Sequence, residues 1–205
     1  MTTKLTNRQL AALETKRKLL DSAKKLVTEK GLVNTSIEEI AKASGVSTGT
    51  FYTHFKRKED VIFELSYEMY EEITKQALAH EGDFITRLTF FMGNFSGYIE
   101  KSSLKLCQEW VRNTVDPDLL DVPVEDTKLY LDIKSMRQFF NDGIARGELK
   151  DDTPVEILAH TIIDILYGQM LCWDMSGGAY SFEARTREFC EHFLPSLVTP
   201  YLILK

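Results

Sequence analysis

The sequence predicts an all-α protein in two parts, a small three-helix N-terminal unit and a larger helical body. Three observations carry that expectation. Apolar residues recur at three- and four-residue spacing, and no convincing period-two run appears. Capping residues mark helix starts, and glycines mark helix stops. Charge divides between the parts. Residues 1–60 hold 12 Lys/Arg and 7 Asp/Glu, a net of +5, whereas the remainder holds 13 basic and 24 acidic residues, a net of −11. A basic unit on an acidic body points to a polyanionic partner at the N-terminal end.

The elements follow in order. Thr6 with Gln9 three residues on reads as a capping box, Leu19, Ala23, Leu26 and Val27 as an inner stripe, and Gly31 as the stop. Ser36 with Glu39 is a second capping box, with Ile37, Ile40 and Ala41 inward. Gly45 sits where a left-handed residue turns the chain. Ser47 caps a third helix whose buried side is Phe51 and Phe55. A fourth runs from near Lys58 to about His80, with Ile62, Leu65, Met69 and Ile73 inward and Glu59 and Asp60 suited to its N-terminal dipole. Gly82 breaks the pattern. Longer helices are expected over 84–100, 103–115 and 126–146, with a loop bracketed by Asp116-Pro117 and Val122-Pro123. Thr153-Pro154-Val155-Glu156 reads as a helix start with Thr153 as N-cap. That helix passes Trp173 and ends at Gly177-Gly178. Ser181 caps the last helix, which Pro195 ends or kinks.

Composition narrows the class. With 205 residues and 43% apolar content, the chain has the length and apolar content for a buried core. Cys107, Cys172 and Cys190 are far apart and form no metal or disulfide framework; they read as core. The N-terminus lacks an apolar signal core, and no run approaches about 18 consecutive apolar residues. The expectation is a cytoplasmic protein with no membrane partner.

The segment Ser36–Lys58 carries the functional signal. It reads as helix, tight turn and second helix, the layout of a helix-turn-helix that seats one helix in the major groove of DNA. Small residues at that helix's start let it approach base edges, and Thr48-Gly49-Thr50 satisfies this. Ser36 and Ser47 stand at helix N-termini, which offer free N–H groups to phosphate. Tyr52, His54 and Lys58 can donate to phosphate oxygens.

The run Gly45-Val46-Ser47-Thr48-Gly49-Thr50-Phe51-Tyr52-Thr53-His54-Phe55, preceded by Thr35-Ser36-Ile37 and Ile40-Ala41 and followed by Lys56 and Lys58-Glu59, resembles the signature of the tetracycline-repressor (TetR) family, AcrR-like members included. The resemblance covers roughly residues 10–65. It implies a helix-turn-helix DNA-binding domain over 1–57 and a helical ligand-binding and dimerisation domain over 58–205. It implies a homodimer formed through the last two long helices, bound to double-stranded operator DNA. Carried over by position, Ser36, Tyr52, His54 and Lys58 contact phosphates, and Thr48, Gly49, Thr50 and Thr53 lie at or near base edges. Two residues depart from the pattern: Arg57 stands where a helix cap is common, and Glu38, read as solvated, stands where some members place an arginine.

The body is rich in aromatic and thioether side chains. Their first reading is core, since Phe84, Leu88, Phe91 and Phe95 have core spacing. Phe90-Phe91-Met92 and Phe139-Phe140 put large groups on adjacent faces, and a second buried surface facing a cavity is expected. The candidate lining is Met69, Phe91, Asn94, Phe95, Tyr98, Trp110, Met136, Phe140, Tyr167 and Met170, with Gln108, Asn113 and Gln138 as further polar contacts, around a small, largely apolar effector. Val155, Leu158, Ile162, Ile165, Leu166 and Met170 on one helix and Phe182, Phe189, Phe193 and Leu197 on the next are the expected dimer helices, with Gly168 allowing close approach. The fourth helix is the expected lever, as the one element reaching both parts. The expected function is a regulator, a repressor released by its effector, with no cofactor, no metal and no catalysis. A regulator of the same fold controlled by protein contacts is the alternative. An enzyme is the rival class, but no catalytic fingerprint occurs, and Glu156, His160 and Asp164 read as a helix-surface group.

Overall fold

Thr6 opens the first helix through a reciprocal box. Its hydroxyl accepts from the Gln9 N–H, and the Gln9 carboxamide oxygen accepts from the Thr6 N–H at 2.8 Å. The computed structural model describes residues 5–115 and 123–203, without the side chains of 113–115 and 124. The expected loop at 116–122 and the Asn113 side chain lie outside the described residues.

Among the described residues ten α-helices follow one another: α1 (Asn7–Lys30), α2 (Ile37–Ala43), α3 (Thr48–His54), α4 (Glu59–Ala79), α5 (Phe84–Ser102), α6 (Leu104–Val115), α7 (Lys128–Ala145), α8 (Val155–Met175), α9 (Phe182–His192) and α10 (Leu194–Val198). Ser36 forms the second capping box with Glu39, and Ser47, Asp83 and Ser181 accept from the amides of Thr50, Thr86 and Ala184. Gly45, at φ +71°, makes the corner between α2 and α3. The chain breaks at Phe193, just before Pro195, as the sequence requires. One start is displaced: Pro154, not Thr153, is the N-cap of α8, because the Thr153 hydroxyl donates to the Lys150 carbonyl instead.

Two hydrophobic clusters form. The smaller joins Leu19, Leu20 and Ala23 of α1 to Ile40, Phe51 and Phe55, and includes Val61 and Leu65 from the start of α4. The larger fills the body, and it takes in Val27 of α1, Leu32, and Ile62, Met69, Tyr70 and Ile73 of α4. α1 and α4 therefore each serve both cores, and a boundary at 57/58 cuts through shared packing. α4 is not the sole link: α1 also packs on α6, and Lys105 of α6 donates to the Glu29 carbonyl at 3.0 Å.

α5 lies along α9, α7 along α8, and α4 crosses α5 and α7. Gly93 and Gly97 make the first pairing possible. A Cβ on either would stand 2.9 Å from Arg187 Cζ or 2.5 Å from Glu183 Oε2. This packing accounts for the aromatic excess on α5. Met92, the neighbour of Phe91, buries against Cys190 of α9, with sulfurs 3.7 Å apart. Phe139 and Phe140 both pack on Phe84, with ring centroids 5.6 and 5.1 Å away. The second buried surface is helix–helix core rather than cavity wall.

α8 is apolar over most of its circumference. By length and composition it is the one helix among the described residues that passes as a membrane span. Its inner side, with Leu158, Ile162, Ile163, Leu166 and Met170, is buried in the body core. A soluble-core helix reads the same way in composition.

A buried ion pair locks the base of the body. Arg87 of α5 is 2% exposed, and its guanidinium meets Glu148 with two hydrogen bonds of 2.9 and 2.5 Å and donates to the Gly82 carbonyl. Glu148 and Leu149 in turn pair with the C-terminal segment at Ile203 and Leu202. Glu148→Ala strands a buried cation, and urea unfolding is expected to show a loss of about 3–5 kcal/mol.

Candidate nucleic-acid interface and effector chamber

α3 buries one side and presents the other. Phe51 is fully buried, while Thr48, Gly49, Tyr52 and Thr53 are exposed, Tyr52 to 57%. Thr50 and His54 are half-buried beside them. The Thr50 hydroxyl lies 2.9 Å from the Ser47 hydroxyl, and the Thr53 hydroxyl donates to the Gly49 carbonyl. A Cβ at Gly49 would meet only Ser47 Oγ, at 3.6 Å. The fold leaves room for a side chain there, so the small residue serves whatever approaches from outside. Ser36 and Ser47 each accept from a helix amide through the side chain, and their hydroxyls also meet Glu39 and the Thr50 hydroxyl respectively.

Lys58 is placed differently from a free cation. Its ammonium donates to the carbonyls of Leu32 and Thr35 at 2.9 and 3.2 Å, tying the α1–α2 loop to the start of α4. An ammonium has three N–H groups, so one is left for an outside acceptor. Lys58 has no side-chain cap to offer α4, and Arg57 supplies none. Asp60 compensates from inside the helix: its carboxylate accepts from the amides of Lys56 and Arg57 at 3.0 and 2.9 Å. Glu38 is exposed.

In the body, the candidate effector residues separate into three groups. Met69, Phe95, Trp110, Tyr167 and Met170 line one internal chamber with Ser66, Ile99 and Lys128; its volume is about 20 Å³. Phe91, Met136 and Phe140 are buried in the core away from that wall. Asn94 and Tyr98 line an outer groove of about 1010 Å³ between α4 and α5. Gln108 and Gln138 are exposed. The sequence reading missed Lys128, Ser66 and Ile99. It also missed Tyr70, fully buried, whose hydroxyl donates to the Asp132 carbonyl at 3.0 Å.

A line of contacts joins the chamber to the DNA-reading unit. Trp110 stacks on Tyr98 with centroids 6.4 Å apart. The Tyr98 hydroxyl lies 2.6 Å from Lys24 Nζ of α1, and that ammonium also stands 4.7 Å from the ring centroid.

On α8 the residues expected to divide between the chain's own core and a partner, Val155, Leu158, Ile162, Ile165, Leu166 and Met170, all pack in or against the chain's own core. The outward stripe is Ile157, Asp164, Gly168, Leu171 and Met175, with Ile157 and Met175 exposed to 64% and 78%. Phe189 and Phe193 of the next helix stack at 5.8 Å, and Phe193 is 61% exposed. A Cβ at Gly168 would meet nothing. Cys107 and Cys190 are buried, and burial pushes their thiols up to about 12 and about 11, whereas Cys172 is exposed rather than core. His160 pairs with Glu156 at 3.0 Å, and Arg137 takes the other oxygen of that carboxylate.

The Glu39 carboxyl sits at about 2, held down first by the Lys30 ammonium and then by the Ser36 N–H. Its folded value lies below the ordinary one. The α2 capping box is therefore fully formed above about pH 4.5 and lost as pH falls through about 2. Protection of the α2 amides, taken relative to the intrinsic exchange rate at each pH, is expected to hold down to about pH 4 and to fall below it.

Comparison with known proteins agrees with this geometry. Residues 19–65 match the family model described as bacterial regulatory proteins, tetR family. Over 54 residues the chain is 46% identical to the HTH-type transcriptional regulator AcrR of Shigella flexneri, covering 26% of this chain and 25% of that one. Over 182 residues it is 26% identical to the fatty acid metabolism regulator protein of Bacillus subtilis, covering 84% and 90%. Its fold is similar to that of Thermus thermophilus FadR, a TetR-family transcriptional repressor solved with lauroyl-CoA, at TM-score 0.70 and 18% identity over 93% and 96% of the two chains. Motif and match converge on residues 19–65 as a DNA-binding unit of the tetR-family type, the reading unit of a transcriptional regulator.

Proposed function

We propose that this chain is a homodimeric repressor that reads operator DNA with α3 and lets go when a small, largely apolar effector opens the chamber in its body. The observation that carries the reading is the exposed face of α3, where small residues at the helix start adjoin hydroxyl, imidazole and ammonium donors. In this reading Thr48, Gly49, Thr50 and Thr53 face bases. Ser36, Ser47, Tyr52, His54 and the third N–H of Lys58 contact phosphates. Residues from about 1 to 65 form the reading unit, and the remainder forms the effector and dimer unit. The site of action is the cytoplasm, where a bacterial operator lies.

The dimer is assigned to the outward stripe of α8, Ile157, Gly168, Leu171 and Met175, with Phe189 and Phe193. Two α3 helices on one DNA face must stand about 34–36 Å apart. The chamber's about 20 Å³ holds one water and no effector. An effector thus selects a more open body, and its affinity difference between the two states is what shifts the spacing. A coupling of about 1–3 kcal/mol changes operator affinity about 5–150-fold. The neighbour with lauroyl-CoA, and the relative named for fatty acid metabolism, support an effector with a substantial apolar part. The small chamber equally suits the second reading, a regulator of this fold switched by protein contacts.

Operator affinity of the free chain, measured by anisotropy with and without an apolar compound library, separates the two. Release by at least one compound is expected. Unchanged affinity throughout would falsify the effector reading and favour protein contacts. In the same assay Tyr52→Phe is expected to weaken all sequences alike, and Lys58→Ala to do so while flattening the salt slope by about 0.9. Substituting Thr48 or Thr50 should alter sequence preference instead. Leu171→Glu with Met175→Glu is expected to yield monomers by sedimentation and to abolish operator binding while α-helical content is kept; a dimer would place the interface elsewhere.

A further inference from the structure

The chamber is not wholly apolar. Lys128 of α7 reaches its wall with the ammonium buried, its side chain 8% exposed. One turn on, Asp132 is 1% exposed and pairs with Lys128. The same carboxylate oxygen, Oδ2, accepts from the Tyr167 hydroxyl at 2.8 Å, and Tyr167 is also on the wall. The other oxygen, Oδ1, is buried without a hydrogen-bond partner among the described residues. The Lys128 ammonium stands 4.5 Å from the centre of the Tyr70 ring.

This arrangement costs stability. A buried ion pair seldom repays its desolvation, and an orphaned carboxylate oxygen adds to the cost. Burial pushes the Asp132 carboxyl up and the Lys128 ammonium down, so both lean towards their neutral forms. The Arg87–Glu148 pair is bidentate and has a carbonyl as well, although Arg87 Nε is likewise buried without a hydrogen-bond partner among the described residues.

The wall's free valences define a partner. Lys128 bonds to Asp132 and stands against the Tyr70 ring, which leaves N–H capacity on its ammonium. Tyr167 and Ser66 donate their protons elsewhere, to Asp132 and to the Phe63 carbonyl, and so present lone pairs. The charge on the polar side is already balanced by the pair itself. A ligand carboxylate would leave a net buried anion, and a ligand ammonium a net buried cation. The rest of the wall, Met69, Phe95, Ile99, Trp110 and Met170, is largely apolar.

We propose that the chamber takes an apolar molecule ending in one uncharged group that both accepts and donates a hydrogen bond, a hydroxyl or primary amide, seated against Lys128 and Tyr167. This rests on the effector reading above and gives that effector its chemical class.

Three probes of equal chain length test it: decan-1-ol, decanoate and decylamine, each titrated into the full-length chain. Tryptophan fluorescence and the unfolding temperature are followed. Trp110 is on the wall and reports entry. Decanol is expected to bind at least about tenfold more tightly than either ion. Removing one partner should turn the selectivity over. Asp132→Asn leaves the Lys128 cation unbalanced, and decanoate should become the preferred probe. Lys128→Met leaves the Asp132 anion, and decylamine should gain. The two variants reverse selectivity in opposite directions, which unselective uptake of amphiphiles by a misfolded chain does not produce. Preference for decanoate or decylamine in the unaltered chain overturns the chemical class and leaves the effector reading standing. Failure of all three probes to bind overturns both. Variants with unchanged selectivity remove the pair from the site.

Discussion

α1 packs Leu19, Leu20 and Ala23 against the DNA-reading helices and, one turn further on, Val27 against the body. α4 does the reverse, giving Val61 and Leu65 to the reading unit and Ile62, Met69 and Tyr70 to the body. Close-packed interiors transmit displacement because they have little free volume to absorb it. Two helices buried in both cores therefore prevent the reading unit from moving independently of the body. Lys16 and Glu64, 2.5 Å apart, tie α1 to α4 inside the reading unit, while Lys24 and Tyr98 tie α1 to α5 of the body. A change in the body that moves Tyr98 must either break its bond to Lys24 or carry α1 along. Through α1 it reaches α2, where the Ser44 hydroxyl donates to the Lys18 carbonyl.

The two buried ion pairs divide the labour of the body. Arg87–Glu148 sits where the α7–α8 turn meets the C-terminal segment, and both of its charges find complementary partners in a fixed fork. Lys128–Asp132 sits against the chamber, and one of its carboxylate oxygens has no hydrogen-bond partner among the described residues. The first is the arrangement expected of a structural lock. The second keeps polarity next to a space bordered by flexible Met69 and Met170 side chains, which repack at modest cost.

What could be read from the chain alone was local. Capping boxes at Thr6 and Ser36 depend on residues three apart, and Phe51 and Phe55 share one side by spacing alone, so all appear in the structure as expected. The exposed face of α3 follows from the same periodicity. Features that depend on which helix lies opposite were not legible. The apolar excess on α5 reads identically whether α9 or a cavity covers it, and only Gly93 and Gly97, at a four-residue interval, hinted at a close helix. α8 is apolar nearly all round, so which of its residues face the chain's own core and which face outward could not be distinguished. Lys128 and Asp132, four apart with opposite charges, look like an ordinary solvated pair. Their burial is decided by Tyr70 of α4 and Tyr167 of α8, each more than thirty residues away.

The closed chamber sets how the switch can respond. If the open body is a minor state, every effector pays for it, and the measured affinity falls by the fraction of chains that are open. A weak apparent affinity is then compatible with a snug bound state, and it keeps the repressor on its operator at low effector concentration. The same closed packing opposes opening through lost dispersion contacts and exposed apolar wall, so changes that loosen the wall should raise effector affinity and lower operator affinity together. Reciprocity requires the converse: operator DNA, by holding the two α3 helices at one spacing, should weaken the effector by the factor with which the effector weakens the operator. Met69 borders the chamber and belongs to α4, the helix whose first turns are buried with Phe51 in the reading unit, so a displaced chamber wall meets that unit along a single helix.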